Sequence, residues 1–288
     1  MIDLHTHTTA SDGRCTPAEL VARAASAGVS VLSVTDHDTV AACEVAAAAC
    51  VASGIEFVPG IEITAVRDEA DVHVLGYFVD ARSEALHAFL SEQRQRRIDR
   101  IRRMLDRLAD LGVRLDAEAI LKPALDDTGK SVGRPWIARA LVAAGYVKTT
   151  DEAFSSWLAR GRPAFVPREG AGSEHVIERI HDAGGLASLA HPGLVGHDEW
   201  IPGLAASGLD AIEVYHSSHD AAATARYRAI AARLGLAVSG GSDYHADQSH
   251  GAPHPGSVSL PREAYDRLVR LKGTVKKNPQ VGAGDRGT

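Results

Sequence analysis

Asp3-Leu4-His5-Thr6-His7 lies near the start of the chain, and Ser11-Asp12-Gly13 follows closely. Side chains alternate across an extended segment, so His5 and His7 share one face. Two neutral imidazoles converging from one strand suit a divalent metal. A His-x-His pair also ends many polar strands, so the pair alone decides little. Its meaning comes from what recurs downstream.

Seven segments read as strands: 1–4, 29–34, 56–63, 72–79, 186–189, 209–215 and 237–239. Several are continuous apolar runs, as in strands buried on both faces. Between them lie helix patterns. Thr16-Pro17-Ala18-Glu19 is a capping box with proline at the first helical position, and Gly28 stops that helix. Ala-rich or amphipathic stretches follow at about 40–52, 173–183, 221–234 and 262–271. The strand ends carry, in order, His5/His7, His37, Glu62, His73, His191, His216 and Asp243/His245. His73 is the irregular member, near the beginning of its strand. In barrels of parallel strands the reactive face is formed by the strands' C-terminal ends, and open sheets follow a similar rule. A set rich in His and carboxylates, without Cys, points to hydrolytic metals such as Mn, Zn or Fe. It holds more ligands than one ion uses, which implies at least two metals.

The alternation breaks between about 89 and 165, where only helical patterns occur. A long helix at about 86–111 carries Arg94, Arg96, Arg97, Arg100, Arg102, Arg103 and Arg107 beside an apolar stripe of Ile98, Ile101, Leu105 and Leu108. Such a charge run reads first as a solvated face. Arg134, at the start of a later helix, is placed to meet an anion. The boundaries expected are a first barrel segment at 1–88, a helical insertion at 89–165, a second barrel segment at 166–271 and a disordered polar tail at 272–288.

The 288 residues are 45% hydrophobic and carry a net charge of -6, which argues against a protein that coats DNA or RNA. Cys15, Cys43 and Cys50 form no metal-knuckle spacing and read as small core residues of a reducing, cytoplasmic protein. No segment resembles a leader or a bilayer span. Asp36, Asp38 and Glu213 are expected to orient ligands. His87, His175 and His181 read as surface helix residues, and His250 and His254 as loop residues.

Asp3-Leu4-His5-Thr6-His7, Thr35-Asp36-His37-Asp38, Pro59-Gly60-Ile61-Glu62, Ala190-His191-Pro192 and Gly241-Ser242-Asp243-Tyr244-His245 together resemble, in order, the motifs of the PHP (polymerase and histidinol phosphatase) family. The resemblance implies an α/β fold, a distorted seven-stranded TIM-like barrel, with a trinuclear site. His5, His7, Glu62 and Asp243 would hold one metal. Glu62 would bridge to a second, held by His73 and His191, and Asp12, His37 and His245 would hold a third. Mn²⁺ is favoured, with Zn²⁺ or Fe²⁺ as alternatives. A metal-bound hydroxide held by Glu62, His37 and Asp243 would be the nucleophile. His216 and His219 fall outside this pattern and are, with metal-bound water, candidates for the leaving-group acid. The resemblance also places the insertion over the barrel mouth as a substrate cap, with Asp12, His37, Arg100, Arg102, Arg103 and Arg134 as substrate contacts.

The function expected is that of a phosphoesterase acting on a small nucleotide, removing the 3′-phosphate of nucleoside 3′,5′-bisphosphates. Cationic groups in two places, metals and arginines, suit two phosphates. The alternatives are a histidinol phosphate phosphatase, a 5′–3′ exonuclease on short RNA, and a metal-binding accessory domain without turnover. No stable DNA or RNA complex, membrane or obligatory protein partner is expected.

Overall fold

The computed structural model describes residues 1–247 and 251–275. Its seven strands form one sheet in sequence order: β1 (Ile2–Asp3), β2 (Val31–Val34), β3 (Glu56–Arg67), β4 (Ala70–Tyr77), β5 (Leu186–Leu189), β6 (Ala211–Tyr215) and β7 (Ala237–Gly240). The edges meet where Leu4 N–H donates to Gly240 O at 3.2 Å and Thr6 bridges Tyr244, so the sheet curls into a nearly closed barrel. Closure depends on Gly241, where a Cβ would lie 2.3 Å from the His5 backbone nitrogen.

The strands are not all parallel. β4 pairs antiparallel with both β3 and β5, while the other neighbours are parallel. β3 and β4 form a hairpin through Asp68 and Glu69, both at positive φ, as a tight two-residue turn requires. This reversal explains the irregular histidine. His73 sits near the start of β4, and the start of an antiparallel strand lies at the same mouth as the ends of its parallel neighbours.

Helices α1 (Pro17–Ser26) and α2 (Cys43–Ser53) cover the first strands, and both halves of the Thr16–Glu19 capping box are formed. Then come α3 (Glu84–Asp110), α4 (Ala117–Asp126), α5 (Arg134–Ala143) and α6 (Thr150–Ala153), the last running into a π-helical turn at Phe154–Leu158. This stretch packs its own apolar cluster, including Ile101, Met104, Leu108, Ile137, Leu141 and Leu158. It is pinned to the barrel mouth by polar bonds: Ser131 N–H to Ala10 O at 2.8 Å, Trp136 Nε1–H to Ser11 O at 3.0 Å, and Arg97 to Asp38 and Thr64. After it, α7 (Ser173–Asp182), the short α8 (Pro192–Val195) and α9 (Ile201–Ala206), α10 (Ala221–Leu234) and α11 (Arg262–Val275) complete the outer layer.

The final helix runs to Val275, past the expected end at 271; residues 276–288, and His250, lie outside the described residues. Among the described residues no helix is long and apolar enough to cross a membrane. Cys15, Cys43 and Cys50 are buried and free, and burial pushes the Cys43 thiol up to about 12.

Candidate metal centre

All nine predicted ligands meet at the barrel mouth. His5 and His7 leave β1 on one face, and their Nε2 atoms lie 3.1 Å apart. Glu62 Oε2 is 3.4 Å from His5 Nε2 and 3.3 Å from His7 Nε2, and Asp243 Oδ1 is 3.3 and 3.2 Å from the same two atoms. A cation with bonds of about 2.1 Å sets its ligand atoms roughly 3.0–3.4 Å apart, for octahedral and tetrahedral edges respectively. The spacings fall in that range. The other oxygen of Glu62 lies 2.9 Å from His73 Nδ1 and 3.1 Å from His191 Nε2. His37 Nδ1 is 3.1 Å from Glu62 Oε2. Asp12 lies 3.3 Å from His245 Nε2 and 3.7 Å from both His7 Nδ1 and His37 Nε2. The donor atoms group as His7–Asp12–His37–His245, His5–His7–Glu62, His37–Glu62–His73 and His5–His216–Asp243.

The electrostatics match a cation site. Burial alone would raise the carboxyls of Glu62, Asp243 and Asp12, yet the surrounding histidines hold all three well below the usual carboxylate range. Burial works against a charge on His7, but Asp243 and Glu62 override it and lift its pKa to about 10. His5 is likewise raised well above its ordinary value, against burial, by Glu213, Asp243 and Glu62. The field that holds protons there is one that attracts metal cations. The buried His191 Nδ1 has no hydrogen-bond partner. The residues present therefore fit a divalent metal cluster.

Supporting residues fix these ligands. Glu213 Oε1 is 2.9 Å from His5 Nδ1, and its Oε2 accepts the His191 backbone N–H at 2.7 Å. In the neutral ring that places the proton on His5 Nδ1 and leaves Nε2 with a lone pair facing the site. Asp36 accepts from Thr8 N–H at 2.8 Å, Thr8 Oγ1 at 2.6 Å and Ser11 Oγ at 2.6 Å, fixing the loop that carries Asp12. Asp38 faces Arg97 rather than the ligand cluster. Asp38, His191 and Asp243 hold positive φ at strand ends, the region costly for residues other than glycine. Each is tied through its backbone N–H, to Glu62 O at 2.8 Å, Glu213 Oε2 at 2.7 Å and His5 O at 2.8 Å respectively.

His216 is 4% exposed, closer to the cluster than the sequence suggested. Its Nδ1 accepts Ser218 N–H at 3.1 Å, so in the neutral ring Nε2 carries the proton and points it at Asp243 Oδ2, 3.3 Å away. His219 is committed to the backbone. Its Nδ1–H donates to Val214 O at 3.0 Å and its Nε2 accepts Gly193 N–H at 3.2 Å, so it is not available as an acid. His87, His175 and His181 bond elsewhere, to Ala81 O, Glu178 and Asp210.

The arginines divide. Arg100, Arg134 and Arg168 converge on Asp71, at 3.5, 3.3 and 3.4 Å. Arg102 and Arg103, expected beside them, are 48% and 46% exposed and pair with Asp99 and Glu169. α3 buries its Arg97–Arg100–Ile101 edge, and a helical turn of 3.6 residues puts positions 102 and 103 outward. Arg168 was missed because it follows the insertion in an irregular segment without periodicity. Burial lowers Arg100 to about 9 and Arg168 to about 10, and both stay charged at neutral pH. Burial pushes Asp71 up, but Arg168, Arg100 and Arg134 outweigh it and hold its carboxyl below the usual range.

The chain is similar to several known proteins. Residues 3–131 match the PHP domain model. A 3′,5′-nucleoside bisphosphate phosphatase of Chromobacterium violaceum is 34% identical over 281 residues, covering 93% of this chain and 98% of that protein. The 5′-3′ exoribonuclease Rnm of Salmonella typhimurium is 36% identical over 250 residues, 84% of each. A solved structure from Bifidobacterium adolescentis, assigned by inference as a metal-dependent phosphoesterase, superposes with a TM-score of 0.84 at 32% identity, over 93% of this chain and 95% of that one.

Proposed function

The chain belongs to the PHP-domain family and is a metal-dependent hydrolase of phosphoester bonds, and on that footing we propose that it removes the 3′-phosphate of nucleoside 3′,5′-bisphosphates. The products are a nucleoside 5′-monophosphate and inorganic phosphate. The observation that carries this reading is the arginine group beside the ligand cluster. Arg100, Arg134 and Arg168 share the single carboxylate of Asp71, an excess of two positive charges, since three minus one is two. A terminal phosphate supplies that charge. Asp71 and His73 stand two residues apart on β4, about 7 Å along the strand. A nucleoside with phosphates on both ends bridges such a distance. The name of the Chromobacterium violaceum relative supports the same reading.

His5, His7, Glu62 and Asp243 would hold one metal, His73 and His191 a second with Glu62 shared, and Asp12, His37 and His245 a third. When bound, such ions supply an activated water and neutralise charge on the phosphoryl oxygens. Arg100, Arg134 and Arg168 hold the 5′-phosphate by charge-assisted bonds. That fixes O3′ and the phosphorus over the ligands. In its imidazolium form, with Nδ1–H on Ser218 Oγ, His216 is the side chain placed to pass its Nε2 proton to the departing O3′, which leaves a neutral ring. The helices from α3 to α6 act as a cap, clamped to the mouth by Arg97 and Trp136.

Histidinol phosphate has one phosphate and an ammonium group, which the arginines would repel. The test is turnover with Mn²⁺ of adenosine 3′,5′-bisphosphate and of L-histidinol phosphate, with products identified by mass. The reading requires AMP and phosphate from the first, at the higher kcat/KM. Faster release of phosphate from histidinol phosphate would replace it.

A further inference from the structure

We propose that Asp71 acts as a resident counter-anion in the arginine group and sets its net charge low enough for the reaction product to leave. This rests on the bisphosphate reading above. In that reaction the 5′-phosphate enters on the substrate and leaves unchanged on the nucleoside 5′-monophosphate. A contact to it therefore holds substrate, transition state and product alike. Such uniform binding lowers KM without raising kcat, and a product held too firmly makes its own release the slow step. Three unopposed guanidinium groups would hold it that way.

Asp71 and His73 stand two residues apart on β4 and so share one face of the strand. The contacts of Asp71 to Arg100, Arg134 and Arg168 are loose, at 3.5, 3.3 and 3.4 Å. The exposed pairs Arg67–Glu174, Arg96–Glu92 and Arg103–Glu169 are closer, at 2.6, 2.6 and 2.8 Å. One carboxylate shared three ways satisfies none of the three. Arg100 Nη2 and Arg168 Nε are buried and make no hydrogen bond. Those donors stay open to the oxygens of a phosphate. Arg97, near enough to Arg100, Arg134 and Arg168 to be felt by them, is paired with Asp38 and stays outside the charge count.

The arginines keep their places by other ties. Arg100 Nε–H donates to Val166 O at 2.8 Å, and its guanidinium lies over the Phe165 ring, 5.6 Å from the centroid. Arg134 lies over the Phe154 ring at 5.7 Å. The β3–β4 hairpin, which carries Asp71, is joined to the segment that carries Arg168 by Val66 N–H donating to Ala171 O at 2.9 Å. Arg97 Nη2 ties α3 to Thr64 Oγ1 at 2.8 Å. Neutralising Asp71 therefore changes the charge of the group more than its shape. Buried like charges left without a counter-ion raise the energy of the empty site. An anion that enters relieves them, so it binds tighter once the carboxylate is gone.

The experiment is calorimetric titration of AMP, which lacks the scissile 3′-phosphate, into the Mn²⁺-loaded wild type, Asp71→Asn and Asp71→Ser. Adenosine 5′-O-methylphosphate is titrated beside it. Above a second pKa of about 6 the AMP phosphate carries two charges, while the methyl ester carries one. The neutral variants should bind AMP about tenfold tighter and the methyl ester only about threefold, since the same field acts on half the charge. In turnover of adenosine 3′,5′-bisphosphate, KM and the Ki of AMP should fall together while kcat does not rise. Circular dichroism establishes folding, and the serine variant carries the test if the asparagine variant does not fold. A folded neutral variant that binds AMP no tighter than the wild type, or gains equally for both ligands, overturns the role of Asp71 and leaves the phosphatase reading standing. A wild type that neither hydrolyses the bisphosphate nor binds AMP removes that reading, and the role of Asp71 with it.

Discussion

Replacing Glu213 by Gln should weaken metal binding without touching a proposed ligand. Glu213 is fully buried and serves two partners, His5 Nδ1 at 2.9 Å and the His191 backbone N–H at 2.7 Å. A glutamine keeps one acceptor oxygen. If that oxygen serves the strained His191 peptide, its NH₂ faces His5 Nδ1 and must meet a lone pair there. The proton of His5 then moves to Nε2, the nitrogen that lies 3.3 Å from Asp243 and 3.4 Å from Glu62. A protonated nitrogen cannot ligate. Loss of such an orienting carboxylate costs ten- to a hundredfold in metal affinity, roughly 1.4–2.8 kcal/mol. Calorimetric titration of chelator-stripped protein with Mn²⁺ measures it, with circular dichroism to establish that the variant is folded. An affinity within about twofold of wild type at every site would refute the role given to Glu213.

Further outcomes follow from the same geometry. Arg168→Ala should raise KM for the bisphosphate about ten- to a hundredfold, the worth of a charge-assisted bond of roughly 1.5–3 kcal/mol, with metal content unchanged. Arg102→Ala and Arg103→Ala, on the exposed face of α3, should change it little; steady-state kinetics with elemental analysis separates these. Metal loading should also release protons. In the metal-free protein His7 is raised to about 10, so it is protonated at pH 7 and must deprotonate to ligate. Apparent metal affinity should therefore rise with pH from neutral toward about 10. Calorimetry in two buffers of different ionisation enthalpy reads the protons directly, and no release at pH 7 would contradict the assignment. The same shift gives a stability trend for the metal-free chain. The contribution of His7 is fully present below 6.5 and is lost as pH rises through about 10.

The strand-end pattern was legible because period and position suffice for it. Apolar runs marked the strands, and a strand places its terminal side chains at one mouth whatever follows. β4 was the exception in direction, since nothing in 72–79 distinguishes an antiparallel strand from a parallel one. The clue lay in His73, which fits the mouth only if its strand is reversed. The arginines of α3 were legible as a run but not as individuals. Seven basic residues surround one helix, and only the barrel mouth at Asp38 and Asp71 decides which turn inward. Arg102 and Arg103 were therefore grouped with Arg100, while Arg168, alone in a loop, carried no pattern. Glu213 was visible as a carboxylate within a strand, but its service to two ligands from two other strands is a tertiary fact. His219 looked as reactive as His216 until its two backbone bonds were known.

The central claim is that the chain reads two phosphates at once, one on the ligand cluster and one on Arg100, Arg134 and Arg168. The measurement that tests it most directly is kcat/KM for adenosine 3′,5′-bisphosphate against adenosine 3′-monophosphate, with the same Mn²⁺ and enzyme preparation. The account predicts a preference for the bisphosphate of at least about tenfold, which Arg134→Ala narrows toward unity. Equal rates for the two substrates in the wild type would contradict it.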